Sequence, residues 1–286
     1  MTMQAACPAV NPDQSGLEEG RDMSLVERHS ITTHGQGEKT MVFVHGYGCD
    51  QNIWRLLTPF FTHSHALVLY DQAGAGNSDL GAYDRHKYAS LEGYADDLIA
   101  ICAMLDRGPT IVVAHSVGAT IALLAARRRP DLFEKLILVG PSPCYLNDGA
   151  YRGGFDQAGL EEILEFLQLN LAGWSAQMAP VIMGNPERPE LAAELEASFC
   201  RNDPVIAHLF ARVTFLSDHR AALAAVTTPA LILQSDDDVI APVAVGTYMH
   251  AAMPDAELVI LRSAGHCPHV SAPGMVAAAI VDYLAA

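Results

Sequence analysis

A short apolar run, Thr110-Ile-Val-Val-Ala114, meets the helical pattern Ala119-Thr-Ile-Ala-Leu-Leu-Ala-Ala-Arg127 through one tight corner, His115-Ser116-Val117-Gly118. A strand that turns straight into a helix at a serine restricts the possible folds more than any other feature of the chain. At such a corner the neighbouring backbones come close together, so the residues two before and two after the serine must be small. Ala114 and Gly118 meet that need, with Ala114 standing where glycine is commoner. Alone, the pattern also fits an ordinary helix start in which serine serves as a cap. The surrounding segments have to decide between the two.

Three further segments favour a nucleophile elbow. Upstream, Met41-Val-Phe-Val44 reads as a buried strand that runs into His45-Gly-Tyr-Gly48. In an architecture with such an elbow, this loop supplies the second donor to an oxyanion. Downstream, the strand-like Ala230-Leu-Ile-Leu-Gln234 ends in Ser235-Asp-Asp-Asp238, and Leu258-Val-Ile-Leu261 leads to Ala264-Gly-His266-Cys-Pro-His269. Serine, acid and histidine, each just past the C-terminal end of a predicted strand, follow the chain order of an α/β-hydrolase triad. The expected fold class is therefore α/β, a mostly parallel twisted sheet flanked by helices.

Spacing selects among the candidates. Asp238 lies four residues before Pro242, the spacing that the acid loop of this fold usually shows, while Asp236 and Asp237 are expected to cap the turn or face water. His266 follows Gly265, which lets the chain turn the imidazole back toward the serine. His269 is read as structural. His115 neighbours the nucleophile but points away from it, and His63, His65 and His86 are read as surface residues. In this scheme His266 takes the proton of Ser116 during attack, and Asp238 holds the ring in the productive tautomer. The backbone N–H groups of Val117 and Tyr47 are the expected oxyanion donors, Val117 at a helix N-terminus where unpaired N–H groups favour negative charge. Loss of one such donor typically costs ~3 kcal/mol of transition-state stabilisation.

Several longer blocks carry a resemblance: His45-Gly-Tyr-Gly-Cys-Asp-Gln-Asn-Ile-Trp54, Tyr70-Asp-Gln-Ala-Gly-Ala-Gly-Asn-Ser-Asp79, Leu91-Glu-Gly-Tyr94, Gly140-Pro-Ser-Pro-Cys-Tyr-Leu-Asn-Asp148, Gly153-Gly-Phe155 and Gly265-His-Cys-Pro-His269. From about Leu25 to the C-terminus the chain resembles the RsbQ-like branch of the α/β-hydrolases, a branch that takes in bacterial stress-response regulators and, more distantly, the plant karrikin and strigolactone receptors. The resemblance implies the same triad of Ser116, Asp238 and His266.

With 286 residues the chain can carry one large α/β domain. Its net charge of −16 argues against nucleic acid and anionic membranes as partners. The six cysteines show no CxxC pair and are read as reduced thiols. Neither a metal nor a cofactor is expected. Residues 1–23 have no basic start and no apolar run, so they are read as a flexible tail rather than a signal peptide. No stretch reaches the roughly 18 apolar residues of a membrane span, and a cytoplasmic location is expected.

After Leu136-Ile-Leu-Val139, counted as the sixth strand, a long insertion of different character precedes Ala230. Leu160, Ile163, Leu164, Leu167, Leu171 and Trp174 recur at helical spacing, with Glu161, Glu162 and Glu165 opposite. Leu191 to Phe199 and Pro204 to Phe215 read as further helices, with Pro180, Pro186 and Pro189 breaking the pattern between them. Most of this apolar stripe is ordinary helix core. Inserted at this point of the fold, however, the helices lie over the C-terminal edge of the sheet as a lid. The expected division is a hydrolase core of 24–145 and 216–286 with a helical lid of 146–215. By the resemblance to the plant receptors, Tyr47, Phe155, Trp174, Phe215 and Val239 face an apolar cavity, with Met178 where those relatives tend to carry an aromatic.

No arginine or lysine is expected near the serine, so the implied ligand is a small, uncharged, hydrophobic ester or lactone. Two function classes stay open. One is a carboxylesterase or lactonase. The other, implied by the resemblance, is a signalling protein that binds or slowly hydrolyses such a ligand and acts on a partner protein. Haloalkane dehalogenase and epoxide hydrolase chemistry needs an aspartate at the elbow, where this chain has Ser116. A cofactor-free haloperoxidase or C–C bond hydrolase would use the same triad.

Overall fold

The computed structural model describes residues 24–286, and the expected tail of 1–23 lies outside the described residues. In chain order the elements are α1 (Leu25–Arg28), β1 (Thr32–Gly35), β2 (Lys39–Val44), β3 (His65–Leu69), α2 (Leu91–Leu105), β4 (Thr110–His115), α3 (Val117–Arg128) and β5 (Phe133–Val139). Four helices follow without a strand between them: α4 (Gln157–Leu169), α5 (Leu171–Met183), α6 (Pro189–Cys200) and α7 (Pro204–Phe215). The chain then returns through β6 (Ala230–Asp237), α8 (Val243–Ala252), β7 (Ala256–Ala264), α9 (Pro268–Ser271) and α10 (Pro273–Ala285).

The seven strands form one sheet in the order β1-β3-β2-β4-β5-β6-β7. β1 runs antiparallel to β3, and every other neighbouring pair is parallel. Parallel strands covered on both faces need apolar side chains at every position, which is why the sequence shows continuous runs there. Side chains alternate faces along a strand. Val42, Val112, Leu136 and Ile232 accordingly join one core with α2, α3 and α8, while Met41, Ile111, Ile137 and Leu231 join the other with α10 and the inserted helices. β4 occupies the central place of the sheet, so the corner that follows it opens at the middle of the C-terminal edge.

The insertion follows the fifth strand of the described residues, not the sixth, because only four strands precede Phe133–Val139 and the stretch between β3 and β4 forms 3-10 turns and α2. The helical stripe from Leu160 to Trp174 is also divided. Asn170, at φ −155° and ψ 80°, ends α4, and its side-chain oxygen accepts the Gly173 N–H at 2.9 Å to start α5. Pro180 lies inside α5, one turn before the helix closes at Gly184 in the left-handed conformation, instead of breaking the pattern. Cys49, Cys102, Cys144 and Cys267 are free thiols. Cys200 is disulfide-bonded, which the irregular cysteine spacing did not signal. No helix of the described residues is long and apolar enough to cross a membrane.

Candidate active site

Ser116 sits between β4 and α3 with φ +55° and ψ −124°. A non-glycine residue held there costs ~1–3 kcal/mol and persists only where its surroundings enforce it. Here they do. A Cβ on Gly118 would come within 2.6 Å of the His45 carbonyl oxygen and 2.7 Å of that of Val44, so the helix start and the end of β2 can approach only through a glycine. Gly46 is similarly confined, with a Cβ there falling 2.6 Å from His115 Nδ1. The Ser116 N–H donates to the Val139 carbonyl at 2.9 Å, fixing the corner to β5.

The side chains that the sequence singled out converge. Ser116 Oγ lies 2.8 Å from His266 Nε2, and His266 Nδ1 lies 2.8 Å from Asp238 Oδ2. Asp238 Oδ1 accepts the N–H groups of Ile240 at 2.8 Å and Ala241 at 3.0 Å, so the loop after β6 orients the carboxylate. Asp236 and Asp237 are exposed, and Asp236 caps the Ser263 N–H at 3.0 Å. His266 is set by Gly265 at φ +85° and by its own N–H, which donates to the Ile182 carbonyl at the end of α5 at 2.8 Å. In this arrangement the Nδ1–H of His266 donates to Asp238, leaving Nε2 to accept the serine hydrogen. That is a proton path from a hydroxyl to a base whose tautomer is fixed.

Around this line the remaining histidines are buried and neutral. His115 Nε2–H donates to the His266 carbonyl at 2.9 Å, and burial holds its pKa well below the usual value. The His269 ring packs at a tilt 4.6 Å from that of Trp54 and 4.3 Å from that of His115, and burial, aided by His266, pushes its pKa down to about 3. His45 was not singled out by sequence. Its Nδ1–H donates to Gly46 O at 2.9 Å and its Nε2 accepts the Gln72 N–H at 3.0 Å, which shapes the loop carrying Tyr47; burial lowers its pKa. Val117 opens α3, where the first N–H groups have no partner inside the helix. Tyr145 was also missed: its hydroxyl lies 3.2 Å from Ser116 Oγ. Among the described residues no three His, Cys, Asp or Glu side chains are grouped as metal ligands.

Above the serine lies a cavity of about 40 Å³. Tyr47, Phe155, Trp174, Met178 and Phe215 line it. Val239 does not: it is 54% exposed, because the residue after Asp238 points out of the loop and Ile240 points in. Phe199, Cys49 and Cys267 complete much of the wall, and no Asp, Glu, Lys or Arg side chain lines it. Tyr47 is the hub of the roof. Its ring lies within 6.1 Å of those of Trp174, Phe199, Phe210 and Phe215, and its hydroxyl donates to the Ala207 carbonyl of α7 at 3.1 Å.

A strained serine at the centre of a mostly parallel sheet, backed by a buried histidine and aspartate and covered by helices, defines a serine hydrolase of the α/β type. The chain belongs to the alpha/beta hydrolase family, whose model matches residues 41–279. It is 36% identical over 264 residues to the Karrikin insensitive 2 receptor CA of Petunia hybrida, covering 92% of this chain and 98% of that protein. The strigolactone esterase RMS3 of Pisum sativum is 36% identical, covering 88% of this chain and 95% of its own. Among solved structures, a hydrolase from Oleispira antarctica superposes with a TM-score of 0.89 at 38% identity, covering 91% of this chain and 96% of that one.

Proposed function

We propose that the protein hydrolyses a small, uncharged, hydrophobic ester or lactone. Ser116 attacks the carbonyl, His266 takes its proton and returns it to the leaving alcohol, and Asp238 keeps the imidazole oriented and stabilises its charged form. The N–H groups of Val117 and Tyr47 hold the oxyanion. The observation that carries this reading is the unbroken Ser116–His266–Asp238 hydrogen-bond line opening into a cavity walled by apolar side chains. At about 40 Å³ the cavity has room for roughly three water molecules, which suits a short acyl group or small ring. A panel of short acyl esters and small lactones tests it: turnover by the wild type and none by Ser116→Ala is expected. Equal turnover by both would remove the reading.

A second reading is supported by the karrikin receptor at 36% identity over 92% of this chain. In it the chain is an RsbQ-like signalling protein in the cytoplasm, and the ligand, held or slowly cleaved, alters how the protein acts on a partner protein. Turnover separates the two. A dedicated esterase cleaves some member of the panel rapidly, whereas a receptor is slow on all of them yet is stabilised by its ligand in a thermal-shift assay.

A further inference from the structure

Tyr145 lies on the segment that leads from β5 into the inserted helices, is 2% exposed, and places its hydroxyl 3.2 Å from Ser116 Oγ. The serine has one hydrogen, and the 2.8 Å contact to His266 Nε2 uses it. The tyrosine must then be the donor, filling a lone pair of the serine oxygen. Burial pushes the pKa of the tyrosine hydroxyl up, so the proton stays on it. The ring is held from the lid: it packs edge-on against Phe215 at 5.0 Å, and the Tyr145 carbonyl accepts the Phe155 N–H at 3.1 Å.

We propose that Tyr145 is a catalytic residue that assists breakdown of the acyl-enzyme by donating a hydrogen bond to Ser116 Oγ as that oxygen departs. The inference rests on the serine hydrolase reading. In the acyl-enzyme Oγ is an ester oxygen and a poor acceptor. Water, losing its proton to His266 Nε2, adds to the acyl carbon. When the tetrahedral intermediate collapses, the C–Oγ bond breaks and its electron pair goes to Oγ. Oγ takes the proton from Nε2, and Tyr145 keeps its own while its hydrogen bond to Oγ strengthens. In acylation the same bond already exists in the free enzyme and weakens as the ester forms. Its removal therefore slows deacylation and leaves acylation unhindered. Because Phe155 and Phe215 set the position of Tyr145, the lid governs how long the acyl group remains.

The test is pre-steady-state hydrolysis of p-nitrophenyl acetate by wild type and Tyr145→Phe, with fluorophosphonate labelling and intact-mass spectrometry on both. Tyr145→Phe is expected to label as fast as wild type and to release nitrophenol in a burst near one equivalent. It should accumulate an acetyl adduct on Ser116 and turn over about tenfold more slowly, the scale of one neutral hydrogen bond. Parallel loss of acylation and deacylation, or no change in either, overturns the proposal. Replacing Tyr145 by 3-fluorotyrosine keeps the ring and strengthens the donor, so deacylation should quicken even if Tyr145→Phe fails to fold; an unchanged rate overturns the proposal. Absence of labelling in the wild type would remove the serine hydrolase reading itself. A labelled wild type with unaltered Tyr145→Phe kinetics removes only the role of Tyr145.

Discussion

Replacing Asp238 by asparagine changes one atom at the back of the proposed triad and should be far more damaging than the same change at Asp237. The Asn carbonyl oxygen can still accept the Ile240 and Ala241 N–H groups that Asp238 Oδ1 accepts at 2.8 and 3.0 Å, so the loop is retained. The other position becomes an NH2 facing His266 Nδ1, now 2.8 Å from a carboxylate oxygen. Two donors cannot share that contact, and the ring moves its proton to Nε2. There it would donate to Ser116 Oγ instead of accepting from it. Loss of the base by this route costs about 10⁴-fold in kcat, or ~5–6 kcal/mol. Asp237 is exposed and touches neither ring, so Asp237→Asn should keep activity within about twofold, as surface changes usually do. The assay is kcat/KM on p-nitrophenyl acetate with the melting temperature as a check on folding. A loss below tenfold in Asp238→Asn at an unchanged melting temperature, or an equal loss in Asp237→Asn, would refute the assignment.

Three other outcomes follow from the cavity and from the buried His269. Phe155→Ala and Trp174→Ala enlarge a cavity of about 40 Å³ and should extend turnover to longer acyl chains or larger rings while acetate esters are still cleaved; an unchanged substrate profile would remove the lid from recognition. Trp174, only 1% exposed, should also lose ~3–5 kcal/mol of stability, read by denaturant unfolding. His269, with its pKa pushed down to about 3, stays neutral in the fold while the unfolded chain takes up a proton near 6.5. Stability is then full above that value and is lost as pH falls from there toward 3, by about 2 kcal/mol at pH 5. His269→Phe, which keeps an aromatic ring against Trp54, should remove that share of the acid sensitivity; an identical pH profile in the variant would contradict it.

Much of this arrangement is legible in the sequence because its causes are local. Small residues around Ser116, glycine before His266 and continuous apolar runs for parallel strands each leave a signature within a few positions. What escapes depends on direction or on distance. Val239 and Ile240 are both apolar, and only the turn made by Asp238 as it caps two N–H groups decides which faces the cavity. The break at Asn170 lies in an otherwise continuous helical stripe, where one side-chain cap outweighs the periodicity. Tyr145 meets Ser116 across 29 residues of sequence, and nothing in the run Gly140-Pro-Ser-Pro-Cys-Tyr145 marks which way its hydroxyl points. The buried His45 could have been suspected from its place at the end of an apolar strand.

If Ser116 is the activated nucleophile of a hydrolase, fluorophosphonate labelling followed by peptide mass mapping will find it. One adduct on Ser116 is expected in the wild type, with strong reduction in His266→Ala and no adduct in a Ser116→Ala protein with an unchanged far-UV spectrum. An adduct that persists in Ser116→Ala, or that maps to another residue in the wild type, would contradict it.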